Sequence, residues 1–205
     1  MAILQEERDD LADTEQWLRR QFRSSQLAYL TSAPLPLEER TVYPSSFSEL
    51  LDWINEDRMP GVAFSGDSRP VIDLDLHSGM DVALRTAFDA VLALRDYVRA
   101  KADGWSGNVD TYLRTPPDGC RSIAPKKHAA NESETILGNS RLCRMRVFGV
   151  PSCVDVSGSA LMVAHFKLGL MGQLSPRLYY LDDTGRTGKV YVGYIGRHLE
   201  NTKTN

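Results

Sequence analysis

The chain has 205 residues, of which 42% are hydrophobic and 25% charged, with a formal net charge of -3. This describes an ordinary globular protein with enough length for one well-buried core or two small ones, and it excludes collagen-like, disordered and disulfide-scaffold architectures. No apolar run approaches the roughly 20 residues of a membrane helix, and the first residues are acidic where a signal peptide is basic and then apolar, so a cytoplasmic protein with no membrane partner is expected. Cys120, Cys143 and Cys153 make an odd count without CxxC spacing, and they read as buried thiols.

Charge is divided along the chain. Residues 1–140 carry -8 and residues 141–205 carry +5. A local cluster of Arg and Lys attracts phosphate whatever acidic residues lie beyond a Debye length of about 8 Å. The alternative is that acidic helices pack against the basic segment and neutralise it.

The elements then follow in chain order. Residues 5–24 predict a helix with Leu4, Leu11 and Leu18 at heptad spacing, a helical extension over residues 1–25 that offers a face for another protein or a second copy. Residues 26–32 read as a short strand, and Ala33-Pro34-Leu35-Pro36 breaks it. Ser46 and Glu49 form an S-x-x-E capping box ahead of Phe47, Leu50, Leu51 and Ile54, so a helix of about three turns ends before Pro60. Residues 62–64 and 71–76 read as strands. In the second, Ile72, Leu74 and Leu76 alternate with Asp73, Asp75 and His77.

Ser78 and Asp81 make a second capping box. Leu84, Ala87, Phe88, Val91, Leu94 and Val98 trace one stripe of a long helix that stops at Asp103-Gly104. Residues 105–124 are rich in turn formers, and Pro125 opens a helix through Leu137. From Arg141 the pattern changes to period two over residues 141–150, 160–168, 176–182 and 189–196, which predicts an antiparallel meander. The fold class is therefore α+β: a single domain over residues 1–205, with an antiparallel C-terminal sheet over residues 141–205 covered on one face by the N-terminal helices.

Strand phase decides what shares a face. Cys143, Met145 and Val147 alternate with Arg144 and Arg146, and Met162, Ala164, Phe166 and Leu168 alternate with His165 and Lys167. With Arg177 and Tyr179 on the third strand, Lys189 on the fourth and His198 beyond it, the open face carries a basic group suited to one phosphate. Like charges directly opposite one another destabilise a sheet unless an anion lies between them.

That inventory fits RNA cleavage without a cofactor. A base removes the 2′-OH proton, Arg144, Arg146, Lys167, Arg177 and Lys189 offset charge on the phosphorane, and an acid protonates the departing 5′ oxygen. His165 and His198 are the candidate acid and base, because imidazole titrates near working pH, and Glu132 or Tyr179 supplies a second proton-transfer group. The expected ligand is RNA or another phosphate-bearing molecule. The opposing view is that an antiparallel sheet simply presents polar residues to solvent.

The closing segment, Arg177-Leu-Tyr-Tyr-Leu-Asp-Asp-Thr-Gly-Arg-Thr-Gly-Lys-Val-Tyr-Val-Gly-Tyr-Ile-Gly-Arg-His-Leu-Glu-Asn-Thr-Lys-Thr, resembles the closing hairpin of RelE/HigB-type toxin endoribonucleases. That resemblance implies an Arg-rich strand, a turn and a last strand ending a compact α+β domain that cleaves RNA. It also implies Arg177 as a phosphate binder and His198 near the family's C-terminal functional position. This chain is longer and less basic than such toxins, and Gly193 and Gly196 stand where the family is apolar.

Two other readings remain. Asp73, Asp75 and His77 on one strand face would begin a Mg, Mn or Fe site, joined by His128, Glu132 and Glu134, for a metal-dependent nuclease; the bland reading is a solvated strand edge. A non-catalytic partner-binding or regulatory module would use the N-terminal helix and the basic face for binding alone. Gly193-Tyr194-Ile195-Gly196 lacks the Lys-Ser/Thr of a P-loop, and no G-x-S-x-G elbow is present.

Overall fold

The computed structural model describes residues 42–169 and 174–201. The expected helix over residues 5–24, the strand over 26–32 and the break at Ala33–Pro36 lie outside the described residues. Pro44–Asn205 forms one compact unit.

Helix α1 is Phe47–Asn55. Ser46 Oγ accepts from Glu49 N at 3.0 Å. The reciprocal arm of the box lands one residue earlier, where Glu49 takes Ser45 N and Oγ at 2.6 Å. The predicted apolar positions Phe47, Leu50, Leu51 and Ile54 are all buried. Strand β1, Val62–Phe64, follows.

The next expected strand is a helix, α2, Arg69–Asp75. Pro70 stands at its first turn, where a missing N–H costs nothing, and Asp67 Oδ1 accepts from Arg69 N at 2.9 Å. Val71 and Leu74, three apart, face the core, whereas Ile72 and Leu76 are 46% and 79% exposed. A six-residue apolar alternation fits either period, and burial chose the helical one.

Helix α3, Asp81–Ala102, buries the predicted stripe except at Val98, which is half-buried. The Ser78 box does not form, since the helix starts after Met80 with no side-chain cap. Helix α4, Val109–Arg114, arises within the region read as turns because the Asn108 side chain accepts from Thr111 N at 2.9 Å.

The helix expected over residues 125–137 shrinks to a 3-10 turn at Pro125–Lys127, strand β2 at His128–Ala129, and a single turn α5 at Glu134–Leu137. Asn131, whose side chain takes Glu132 N at 2.9 Å, offers the backbone a competing partner.

The meander is corrected in its first half. Residues 141–150 divide into helix α6, Ser140–Arg144, and strand β3, Val147–Gly149. Asn139 caps that helix through Arg141 N and Leu142 N. Residues 160–168 divide into β4, Ser159–Leu161, and β5, His165–Lys167, which belong to different sheets. The second half stands: β6 is Arg177–Asp183 and β7 is Lys189–Gly196.

The fold is α+β, with the helices mostly N-terminal to the strands. The main sheet has the order β1-β7-β6-β5-β2, and β3-β4 form a separate pair. The main sheet is mixed rather than antiparallel throughout, because β1 runs parallel to β7. Helices and sheet share one large core that includes Phe47, Leu94, Phe166, Leu178 and Ile195.

The opposite face is covered as well. Phe148, Val150, Val154 and Met162 pack on Tyr179 and Tyr191, so the β3-β4 layer buries much of what was expected to be open. Gly193 permits the approach. A Cβ there would lie 2.5 Å from Met162 Sδ and 2.7 Å from Phe148 Cβ. It also stands at the register shift where β6 and β7 change partners between Tyr179 and Tyr180. Cys120 and Cys143 are half-buried and Cys153 is exposed, so only part of the expectation of buried thiols is met. Among the described residues no helix is long and apolar enough to cross a membrane.

Candidate phosphate-binding site

Where β5 joins β6, the second face buries His165, Tyr179 and Arg177 and leaves Lys167 exposed. Register places His165 opposite Tyr179 and Lys167 opposite Arg177, and Arg177 in turn opposite Gly196 at the end of β7. The chain then turns so that His198 N donates to Leu174 O at 2.9 Å. Side chains from three segments, β5, β6 and the turn after β7, thereby meet at one corner.

Glu132 enters from the loop before α5. Its Oε1 accepts from the Tyr179 hydroxyl at 2.7 Å and from Arg146 Nε at 2.5 Å. Arg146 is wholly buried, in the turn between α6 and β3 rather than on a strand face. Its Nη1 donates to Leu142 O at 2.9 Å and its Nη2 to Glu200 O at 3.3 Å. The guanidinium is thus spent on Glu132 and on the C-terminal segment that carries His198, and it acts through them. Its carbon also sits 5.9 Å from the Tyr179 ring centroid.

His165 lies against Tyr179, with ring centroids 4.8 Å apart at 32°. Its Nδ1 is 2.9 Å from Val163 O. A carbonyl only accepts, so Nδ1 carries the proton and Nε2 is the basic nitrogen. His198 repeats this arrangement, with Nδ1 donating to Leu199 O at 2.5 Å.

The local field is distinctive. Burial pushes the His165 imidazole below its ordinary range, and Arg177 and Lys167 push the same way against the Val163 carbonyl and Glu132. Burial also lowers His198, followed by the field of Arg177. Burial alone would raise Glu132, but the hydrogen bonds from Arg146 and Tyr179 prevail and hold it as a carboxylate. Tyr179 is driven well above a normal phenol by burial and by its bond to Glu132. Near neutral pH the corner therefore holds two neutral imidazoles, one anion tied to a buried cation, and Lys167 and Arg177 facing each other across the strands.

Of the expected site residues, Glu132, His165, Lys167, Arg177, Tyr179 and His198 come together, with Arg146 behind them. Lys189 does not. It pairs with Asp183 at the other end of the hairpin, seven residues or about 23 Å along the strand from Gly196. Arg144 is the exposed last residue of α6, and among the described residues no hydrogen bond or ion pair joins it to the cluster.

The alternative Asp73, Asp75 and His77 set is dispersed by the helix that replaces its strand. Asp75 caps α1, accepting from Phe47 N at 2.7 Å and Ser48 N at 2.9 Å, and His77 Nε2 accepts from Arg197 Nη2 at 2.7 Å. Among the described residues no group of three His, Cys, Asp or Glu side chains is placed to hold a metal ion.

Period-two reasoning missed the link through Val163, the burial of Arg146, and a second histidine cluster around His128. The Glu132–Arg146 pair spans a loop and a turn, for which spacing carries no signal. No protein-family model, no curated protein and no solved structure matches the chain.

Proposed function

We propose that the protein binds the phosphodiester backbone of RNA at the Lys167, Arg177 and His198 corner and cleaves it by proton transfer through its two histidines. The observation that carries this reading is the direct cross-strand pairing of Lys167 with Arg177 beside the half-buried to buried His198 and His165. Two cations facing each other cost stability that an anion between them returns. The likeness of the β6-β7 segment to the closing hairpin of RelE/HigB-type toxins supports the same assignment.

In the reaction, His165 Nε2 takes the 2′-OH proton while O2′ bonds to phosphorus. The bond from phosphorus to the 5′ oxygen breaks, leaving a 2′,3′-cyclic phosphate, and protonated His198 gives its proton to the departing oxygen. Lys167 and Arg177 offset the charge on the phosphorane. A bound phosphate counters the Arg177 field at His198 and so raises its affinity for the proton it must donate. Glu132, fixed by Arg146, holds Tyr179, and Tyr179 backs the His165 ring; these are positioning residues.

The test is incubation of the purified chain with labelled single-stranded RNA and DNA, with and without EDTA, beside His165→Ala, His198→Ala and Arg177→Ala. EDTA-resistant cleavage of RNA alone, ending in a cyclic phosphate and lost in the histidine variants, is the expected result. Salt-sensitive binding without cleavage would leave a binding module, and no binding at all would overturn the reading.

A further inference from the structure

Helix α6 carries two arginines that the phosphate corner does not use. Arg141 and Arg144 stand three apart and so share one helix face, and both are exposed while Leu142 between them is buried. The Arg141 guanidinium reaches Glu200 at 2.5 Å, two residues past His198, in a pair whose side chains are 70% and 50% exposed. Among the described residues no ion pair or hydrogen bond links the side chain of Arg144 or of Lys167 to a carboxylate.

Buried Arg146 ties this helix to the corner. Its Nη1 donates to Leu142 O within α6 at 2.9 Å, its Nη2 to Glu200 O at 3.3 Å, and its Nε to Glu132, which also holds Tyr179. One guanidinium therefore fixes α6, the His198 segment and the loop of Glu132 against one another. Gly196, which pairs with Arg177, and Glu200, which meets Arg141, are four residues apart, and four residues span at most about 14 Å. The cations of the corner and those of α6 accordingly stand before and after His198 along this segment, within reach of one short polyanion.

Exposed arginines on a short helix are ordinarily just solvated. Here the helix is held in place, so its guanidiniums are positioned in advance and lose little freedom on binding. Glu200 occupies Arg141 only through an exposed contact, which is weak and exchangeable. A guanidinium takes phosphate as it takes carboxylate, through two parallel N–H bonds, so a phosphodiester can replace Glu200 on Arg141. We propose that Arg141 and Arg144 form a second phosphate station for the strand bound at the Lys167 and Arg177 corner, with the Glu200 carboxylate as the group that the strand displaces. The ligand is then a single-stranded oligoribonucleotide of several phosphates rather than one phosphodiester. The station rests on the RNA reading for the identity of that polyanion.

The test uses the full chain and labelled 2′-O-methyl oligouridylates, which lack the nucleophilic hydroxyl and so report binding alone: a dinucleotide and a pentanucleotide, with hexaglutamate as a polyanion without phosphate. Fluorescence anisotropy at low salt should show the pentanucleotide bound at least about tenfold more tightly than the dinucleotide. Arg144→Ala exchanges an exposed residue for the strongest helix former and keeps the fold. It should weaken the pentanucleotide by about threefold to tenfold, shrink the slope of its log affinity against log salt by about 0.7, and leave the dinucleotide within about twofold. Glu200→Gln should tighten the pentanucleotide by about threefold, the reverse of what a purely structural pair with Arg141 would show. Equal affinity for both lengths, an unchanged slope in Arg144→Ala, or weaker binding in Glu200→Gln overturns the station. Hexaglutamate bound as tightly as the pentanucleotide overturns it in favour of an acidic polypeptide. Unmodified pentanucleotide that binds with these dependences and is not cleaved supports the station and overturns the cleavage reading. Cleavage of unmodified dinucleotide and pentanucleotide at equal rates, unmoved by Arg144→Ala, overturns the station and leaves the cleavage reading standing.

Discussion

Tyr179 and Tyr180 are consecutive on one strand and point to opposite faces, and each meets a histidine and a carboxylate. Their wiring differs. Tyr179 donates to the carboxylate of Glu132, so His165 beside it keeps its basic nitrogen. Tyr180 bonds the histidine itself, which consumes the basic nitrogen of His128 and leaves only a donor. The first arrangement leaves an imidazole lone pair and the second leaves a buried N–H beside a carboxylate. The charge around them differs in the same sense: Arg146, Arg177 and Lys167 act on the first cluster, while Asp110 and Asp182 stand at the second.

The strongest way to break the comparison is to remove the cation that anchors one side. Arg146→Met leaves Glu132, whose side chain is 8% exposed, as an uncompensated buried charge. Such a loss costs about 3–5 kcal/mol. Urea unfolding should show this fall, and Arg146→Met combined with Glu132→Gln should recover part of it, because no bare charge then remains. Equal stability of the single and double variants would mean that the pair does not anchor the cluster.

The tyrosines themselves sharpen it. Tyr179→Phe removes a hydrogen bond to a charged acceptor, worth about 1.5–3 kcal/mol, whereas Tyr180→Phe removes a neutral one, worth about 0.5–1.5 kcal/mol. Chemical denaturation of both variants should rank them in that order. The reverse order would place the charged network on the wrong face.

These clusters were only partly legible in the sequence. The α+β class, helix α1, helix α3 and the β6-β7 hairpin follow from caps, apolar stripes and turn residues, since each of those signals is local. His165, Tyr179 and Arg177 share a face because alternation along β5 and β6 survives into the sheet. Alternation does not say which sheet a segment belongs to. Residues 160–168 keep period two while leaving the β3 pairing for the β6 pairing, and Met162 N bonds Arg146 O on the way. Helix α2 was misread because its apolar residues fit both periods over so short a run. Asp110 and His128 meet across chain segments whose spacing carries no trace of their contact.

Acid should act on both clusters in one direction. His165, His198 and His128 all have proton affinities lowered first by burial. The unfolded chain therefore binds protons that the folded chain refuses, so stability is fully present above about pH 6.5 and is lost as pH falls toward the folded values. Over the first half unit below pH 6.5 each histidine contributes under about 0.7 kcal/mol of loss. Thermal unfolding between pH 8 and 5.5 should show a plateau and then a decline, shallower in His165→Ala. Glu132 adds a separate loss only below about pH 4.5, as its lowered carboxyl is protonated. A profile flat to pH 5.5 would mean that the imidazoles are not held neutral.

The smallest effect on stability belongs to the residue that most directly meets a ligand. Lys167 is exposed at the end of β5, so Lys167→Ala should change unfolding free energy by no more than about 0.5 kcal/mol, the usual range for a surface side chain. Relief of its opposition to Arg177 makes a slight gain the expected sign. Binding should respond in the opposite sense. A lysine on a phosphate contributes about one counterion, so the slope of log affinity for single-stranded RNA against log salt should shrink by about 0.7. Loss of that slope with stability retained locates the phosphate between the two strands. An unchanged slope removes Lys167 from the contact.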